Sequence, residues 1–268
     1  MTFFAAAAWT LGARLGLDML VMAVVALQPR ARMDAVTLVL CQAVFFLGAL
    51  FLMLQAHDRD RPLADSLALR PTLASLCLVG AALGLALHPP FDALADLIAL
   101  RFPPSAEEIA AQTEAFMAVD TLHRSAVILA AGVAAPLVEE LFFRGGLYGG
   151  LRRTHSTTLT VVATSLLFAC SHLSMRNLAP VFGIGLVLSY ARAASGSLWP
   201  GLVTHMVFNT ASILDNFRRL PDAQNRSLYP NVALLLFGLL LSLGLLGAYR
   251  TIARRDDLCA KTRKRDRG

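Results

Sequence analysis

The chain has 268 residues, 56% of them hydrophobic and only 16% charged, with a mean hydropathy of +0.60. A water-soluble domain carries about a quarter charged residues, so this composition excludes an ordinary soluble domain and points to a chain built for the bilayer. The net charge of +6 is concentrated in the last twenty residues, which hold eight of the 24 Lys and Arg.

Eight apolar segments follow one another, over about 6–28, 34–54, 72–88, 125–147, 157–173, 177–195, 198–214 and 230–249. Each is close to the roughly 17–25 residues that a helical span requires. An all-α, polytopic bundle of about eight transmembrane helices is expected. The opening stretch has no basic n-region and no small-residue cleavage site, so it is expected to belong to the first span rather than to a signal peptide.

The loop 57–71 carries Arg59, Arg61 and Arg70, and the one after the fourth segment carries Arg152 and Arg153. With eight alternating helices, these loops and the basic tail share one face. The long loop 89–124 falls on the other and is acidic, with Asp92, Asp96, Glu107, Glu108, Glu114 and Asp120. Cytoplasmic N and C termini follow from the positive-inside rule, against which Arg218, Arg219 and Arg226 stand. Within 89–124, Pro89–Pro90 and Pro103–Pro104 bracket an amphipathic pattern of Phe91, Leu94, Leu97 and Ile98. It predicts a short helix lying along the membrane surface. The chain divides into an integral membrane domain, 1–252, and a basic cytoplasmic tail, 253–268. Directly after a span, such a tail is expected to rest on anionic lipid rather than on nucleic acid.

Cys41, Cys77, Cys170 and Cys259 show no CxxC spacing, so neither a disulfide framework nor a zinc knuckle is expected. Polar groups inside spans say more, because an ionisable residue at the bilayer centre costs about 2.5–3.5 kcal/mol on the insertion scale. Arg14 and Asp18, four apart in the first segment, can neutralise each other. The fourth segment contains Glu139, Glu140 and Arg144. Successive helical residues point about 100° apart, so the two carboxylates face different ways. Glu140 and Arg144 share a face at i, i+4, which leaves Glu139 without a local partner. His172 ends the fifth segment, and His205 and Asn209 share one face of the seventh. A lone His in an apolar helix is most often structural, and a His/Asn pair can simply bond two helices together. Buried polar groups on several spans are nonetheless candidates for function.

No HExxH, Walker loop or GxGxxG is present. A carboxylate with an imidazole can activate water as a general base, His and Asn can donate to an oxyanion, and the same Glu/His set can hold a divalent metal. Spacing alone leaves these open.

Three motifs occur in order on separate apolar segments: EELFFR as EExxxR, FACSH as FxxxH and HMVFN as HxxxN. In them the chain resembles the CPBP family of intramembrane proteases, the CAAX-prenyl-protease type with its bacteriocin-processing and immunity relatives. The resemblance covers about 125–215. It implies an active site sunk in the bilayer, where Glu139 and His172 activate a water for peptide-bond hydrolysis. It assigns oxyanion stabilisation to His205 and Asn209, support of the site to Glu140, and positioning of the carboxylate pair to Arg144. No cofactor is expected; the alternative is a divalent metal such as zinc at Glu139, His172 and His205. The substrate class implied is a membrane-embedded or lipidated peptide or protein, in a bacterial inner membrane. The competing expectations are a non-catalytic binding or bacteriocin-immunity protein of the same fold, and a transporter relaying protons through its buried Glu and His.

Overall fold

The computed structural model describes residues 1–28, 34–116, 120–219 and 232–265; Arg226 lies outside them. Among these residues the chain is helical and has no strand. Its helices are α1 (Phe3–Leu27), α2 (Ala35–His57), α3 (Ala74–Arg101), α4 (Ala106–Phe116), α5 (Thr121–Arg152), α6 (Thr157–Cys170), α7 (Leu178–Ser195), α8 (Trp199–Arg219) and α9 (Val232–Arg265). Polar side chains set the starts. Thr2, Asp34, Asp120 and Ser156 each accept a backbone N–H from the first turn of α1, α2, α5 and α6. Ser105 and Glu108 cap α4 reciprocally, the Ser105 amide at 2.7 Å from Glu108 Oε2 and the Glu108 amide at 3.2 Å from Ser105 Oγ. Gly196, at φ +66°, closes α7 in the left-handed conformation.

The distribution of side chains is that of a membrane protein. Phe4, Met19, Leu40, Phe51, Leu78 and Phe237 are exposed, while Glu139, Glu140, Arg144 and His205 are buried. Lipid tails are as apolar as these outer side chains, so helix association rests on close packing and interhelical hydrogen bonds. Gly80 and Gly84 of α3 show the packing directly. A Cβ on Gly80 would lie 2.8 Å from the Pro200 carbonyl oxygen, and one on Gly84 would lie 2.6 Å from that of Thr204. The glycines thus let α3 meet the backbone of α8. Near the centre, Phe46, Phe142, Phe143 and Phe168 stack edge-on, with Phe46–Phe142 at 5.0 Å and Phe143–Phe168 at 5.1 Å between centroids.

The protein is a polytopic helical bundle, and six helices among the described residues are long and apolar enough to cross a membrane: α1, α2, α3, α5, α7 and α9. The eight expected apolar segments all fall on helices, but two do not meet that standard. Helix α6 has 14 residues, or about 21 Å at about 1.5 Å per residue. Helix α8 is long enough but carries His205, Asn209, Asp215, Arg218 and Arg219.

The expected loop at 89 is not there. Helix α3 continues through Pro89 and Pro90 to Arg101, so Phe91, Leu94, Leu97 and Ile98 extend a long helix. The surface helix lies further on, at α4, which has no buried residue. Proline removes a backbone donor and frees the carbonyl four residues earlier, but membrane helices tolerate this where a neighbour re-satisfies the group. Here α9 closes on the site. A Cβ on Gly238 would lie 2.9 Å from Pro90 Cδ and 3.0 Å from the Ala86 carbonyl oxygen, the carbonyl that Pro90 frees. Helix α9 itself runs on to Arg265, so the backbone of the basic tail continues the last span.

Candidate active site

Helix α5 is not uniform. Two π-helical stretches, Ala130–Ala134 and Leu141–Leu147, flank a short α-helical segment, Ala135–Glu140, that ends on both carboxylates. Such π turns are rare and occur mostly at functional sites.

Glu139 and Glu140 leave this segment in different directions. Glu140 turns into the bundle and is wholly buried. Its Oε1 accepts from Arg144 Nη1 at 2.9 Å and lies 3.0 Å from His205 Nδ1. Arg144, also wholly buried, donates to α7 as well: Nη2 to the Gly185 carbonyl at 3.1 Å and Nε to Ser189 Oγ at 3.4 Å. Its guanidinium carbon lies 4.4 Å from the centroid of the Phe168 ring. Ser165 of α6 donates to Ser189 at 3.1 Å. One ion pair thus ties α5, α6, α7 and α8 together.

Glu139 faces the other way, toward α2. Its Oε1 accepts from Gln42 Nε2 at 2.7 Å, and its Oε2 lies 3.6 Å from His205 Nε2. His205 therefore stands between the two carboxylates. A carboxylate paired with Arg accepts only, which puts a proton on His205 Nδ1. The 3.6 Å gap at Nε2 exceeds a hydrogen bond.

His172 occupies the turn after α6. Its Nδ1 lies 2.9 Å from the Phe168 carbonyl oxygen, an acceptor, so Nε2 is left with a lone pair. The next residue, Leu173, has φ +48°, a costly conformation for a branched side chain. His172 and Glu139 line one cavity of about 460 Å³, together with Gln42, Ser171, Arg14 and Asp18. Arg14 and Asp18 form a two-pronged ion pair in its wall, at 2.6 and 3.1 Å. Asn209, one turn beyond His205, donates to the Ala131 carbonyl at 3.3 Å, inside the first π stretch. The structure thus brings Glu139, Glu140, Arg144 and His205 into one network and sets His172 on the same cavity as Glu139. Asn209 binds the adjacent backbone.

Two residues of this site escaped the inventory of charged and imidazole side chains. Gln42 is neutral, though it is a lone amide in the apolar run LVLCQAVFFL. Arg192 lies inside α7, where its Nε donates to the Arg144 carbonyl at 3.3 Å and its guanidinium faces the Tyr148 ring. Its charge was visible in a span and was the available signal.

Among the described residues no three His, Cys, Asp or Glu side chains converge as ligands. Both ring nitrogens of His205 already face carboxylates.

Comparison with known proteins places the site in context. Residues 121–211, which hold all three motifs, match the family described as type II CAAX prenyl endopeptidase Rce1-like. An Escherichia coli protein described as an uncharacterized 24.3 kDa protein is 38% identical over 87 residues, 31% of this chain and 40% of that protein. The chain therefore spans well under half the length of that relative. No solved structure matches the chain. The resemblance carried by the three motifs thus holds for residues 121–211, which match the Rce1-like, type II CAAX prenyl endopeptidase family.

Proposed function

We propose that the protein is an intramembrane endopeptidase that hydrolyses a peptide bond of a membrane-embedded or lipidated protein or peptide. One observation carries the reading: of two adjacent buried carboxylates, Glu140 is matched by a guanidinium, whereas Glu139 meets a neutral amide and faces a cavity with His172. A buried acid left without a cation, beside an imidazole with a free nitrogen, is suited to take a proton from water. The water oxygen attacks the carbonyl carbon as its proton passes to Glu139. The oxyanion takes donors from Asn209 Nδ2 and His205, which must turn from their resting partners as substrate arrives. The amide C–N bond then breaks, and the proton goes to the leaving amine. Glu140 and Arg144 support the site, and His172 shares the water with Glu139. No cofactor enters these steps, and nucleic acid is not a partner. The enzyme sits in a bacterial inner membrane with both termini cytoplasmic, in keeping with the basic loops at Arg59–Arg70 and Arg152–Arg153.

The test compares the termini of membrane proteins by mass spectrometry in cells carrying the wild-type chain or Glu139→Gln. A new terminus found only with the wild type identifies the substrate. Identical termini, with a normal cell phenotype for the variant, would favour a non-catalytic binding or immunity role.

A further inference from the structure

We propose that Gln42 is a positioning residue: it fixes the plane of the Glu139 carboxylate for proton abstraction. The proposal rests on the protease reading above. Its Nε2 lies 2.7 Å from Glu139 Oε1, across the interface between α2 and α5.

Three observations lead here. First, the terminal torsion of a glutamate is broad and roughly two-fold, so the side chain does not set its own carboxylate plane. At Glu139 the hydrogen bond comes from Gln42 to Oε1, from α2, while His205 Nε2 stands 3.6 Å from Oε2, beyond hydrogen-bond reach. Second, the donor is neutral. Glu140 receives a guanidinium, which offsets its charge; Glu139 receives an amide, which orients the oxygen and leaves the charge available. Third, an amide in an apolar span is costly unless it is bonded, and Gln42 sits on the cavity that His172 also lines. Catalytic groups displaced by about 1 Å can lose about 100-fold in rate, so the contact has kinetic weight.

The experiment uses the full-length chain in lipid nanodiscs, as wild type, Glu139→Gln, Gln42→Met and Gln55→Met. Methionine keeps the length of the side chain and suits an apolar span. Gln55, exposed on the same helix, is the control. Infrared difference spectra assign the Glu139 carboxylate bands as those lost in Glu139→Gln. In Gln42→Met those bands are expected to shift and broaden while the melting temperature holds. On a prenylated CAAX peptide carrying a quenched fluorophore, kcat is expected to fall about 100-fold with KM unchanged. Gln55→Met should match the wild type in every readout. Unmoved carboxylate bands overturn the proposal. So does a lower melting temperature with unchanged kinetics, which marks a purely structural bond, or a rise in KM alone, which marks a substrate contact. If the bands move but wild type and Glu139→Gln are equally inert on the peptide and on cellular termini, the protease reading falls and takes this proposal with it.

Discussion

Arg144 and Glu140 are one turn apart on α5, both wholly buried, and joined at 2.9 Å in a bundle interior. Removing one partner of such a pair leaves an uncompensated charge and costs about 3–5 kcal/mol. Arg144→Leu is therefore expected to destabilise the fold by that amount, read as a lowered melting temperature in detergent. Arg144→Lys should not restore it, because an ammonium cannot serve Glu140, Gly185 and Ser189 at once. Full rescue by lysine would show that charge alone matters.

The close approach of α3 to α8 makes a second prediction. Gly84→Ala would press a methyl group to 2.6 Å from the Thr204 carbonyl oxygen, a backbone atom. Overpacking of this kind costs about 1–3 kcal/mol, and the displaced backbone is next to His205. We expect lower stability and a loss of proteolysis together. Gly12→Ala is the contrast, since nothing lies within 4 Å of its added Cβ. It should hold or slightly raise stability, by up to about 1 kcal/mol.

Chelation separates the two chemistries of the site. With both His205 nitrogens turned to carboxylates, we expect dialysis against a strong chelator to leave peptide cleavage unchanged. A loss restored by adding zinc would instead assign Glu139, His172 and His205 to a metal.

At one end of the bundle, Asp58 follows α2 and pairs with Arg153 at 2.9 Å and Arg61 at 3.6 Å. Burial pushes its carboxyl up, but the neighbouring Ser66 hydroxyl, Arg153 and Arg61 outweigh that and hold it below the ordinary carboxylate range. Its folded value lies under its unfolded one, about 3.9. Its contribution is therefore present above that pH and fades as pH falls through the folded value. Asp58→Asn should melt below the wild type at pH 7, and the gap should close under acid. A gap that stays constant into strong acid would remove Asp58 from the acid response.

The helical character of the eight segments was legible because each is apolar and long, and the three motifs were legible because charge in such surroundings stands out. The course of α3 was not. Pro89–Pro90 reads as a break in isolation, and the packing of Gly238, on a distant segment, against Pro90 and the Ala86 carbonyl could not be read from it. The π stretches of α5 leave no mark in a periodicity argument that assumes a constant turn. The separation of Glu139 from Glu140 followed from helical geometry, but their partners did not. Gln42 lies 97 residues before Glu139, and His205 lies 65 after Glu140.

Helix α6 stops short. Rising from the Arg152–Arg153 turn, its about 21 Å cannot cross a hydrocarbon core of about 30 Å. The irregular backbone around Ser171 and His172 then falls at membrane depth, where peptide groups outside a helix persist only against protein or a hydrated cavity. The proposed hydrolysis would consume water in a place where lipid excludes it. The truncated helix bears on that need: the unwound backbone that carries His172 borders the cavity shared with Glu139, the space in which the proposed reaction would hold its water.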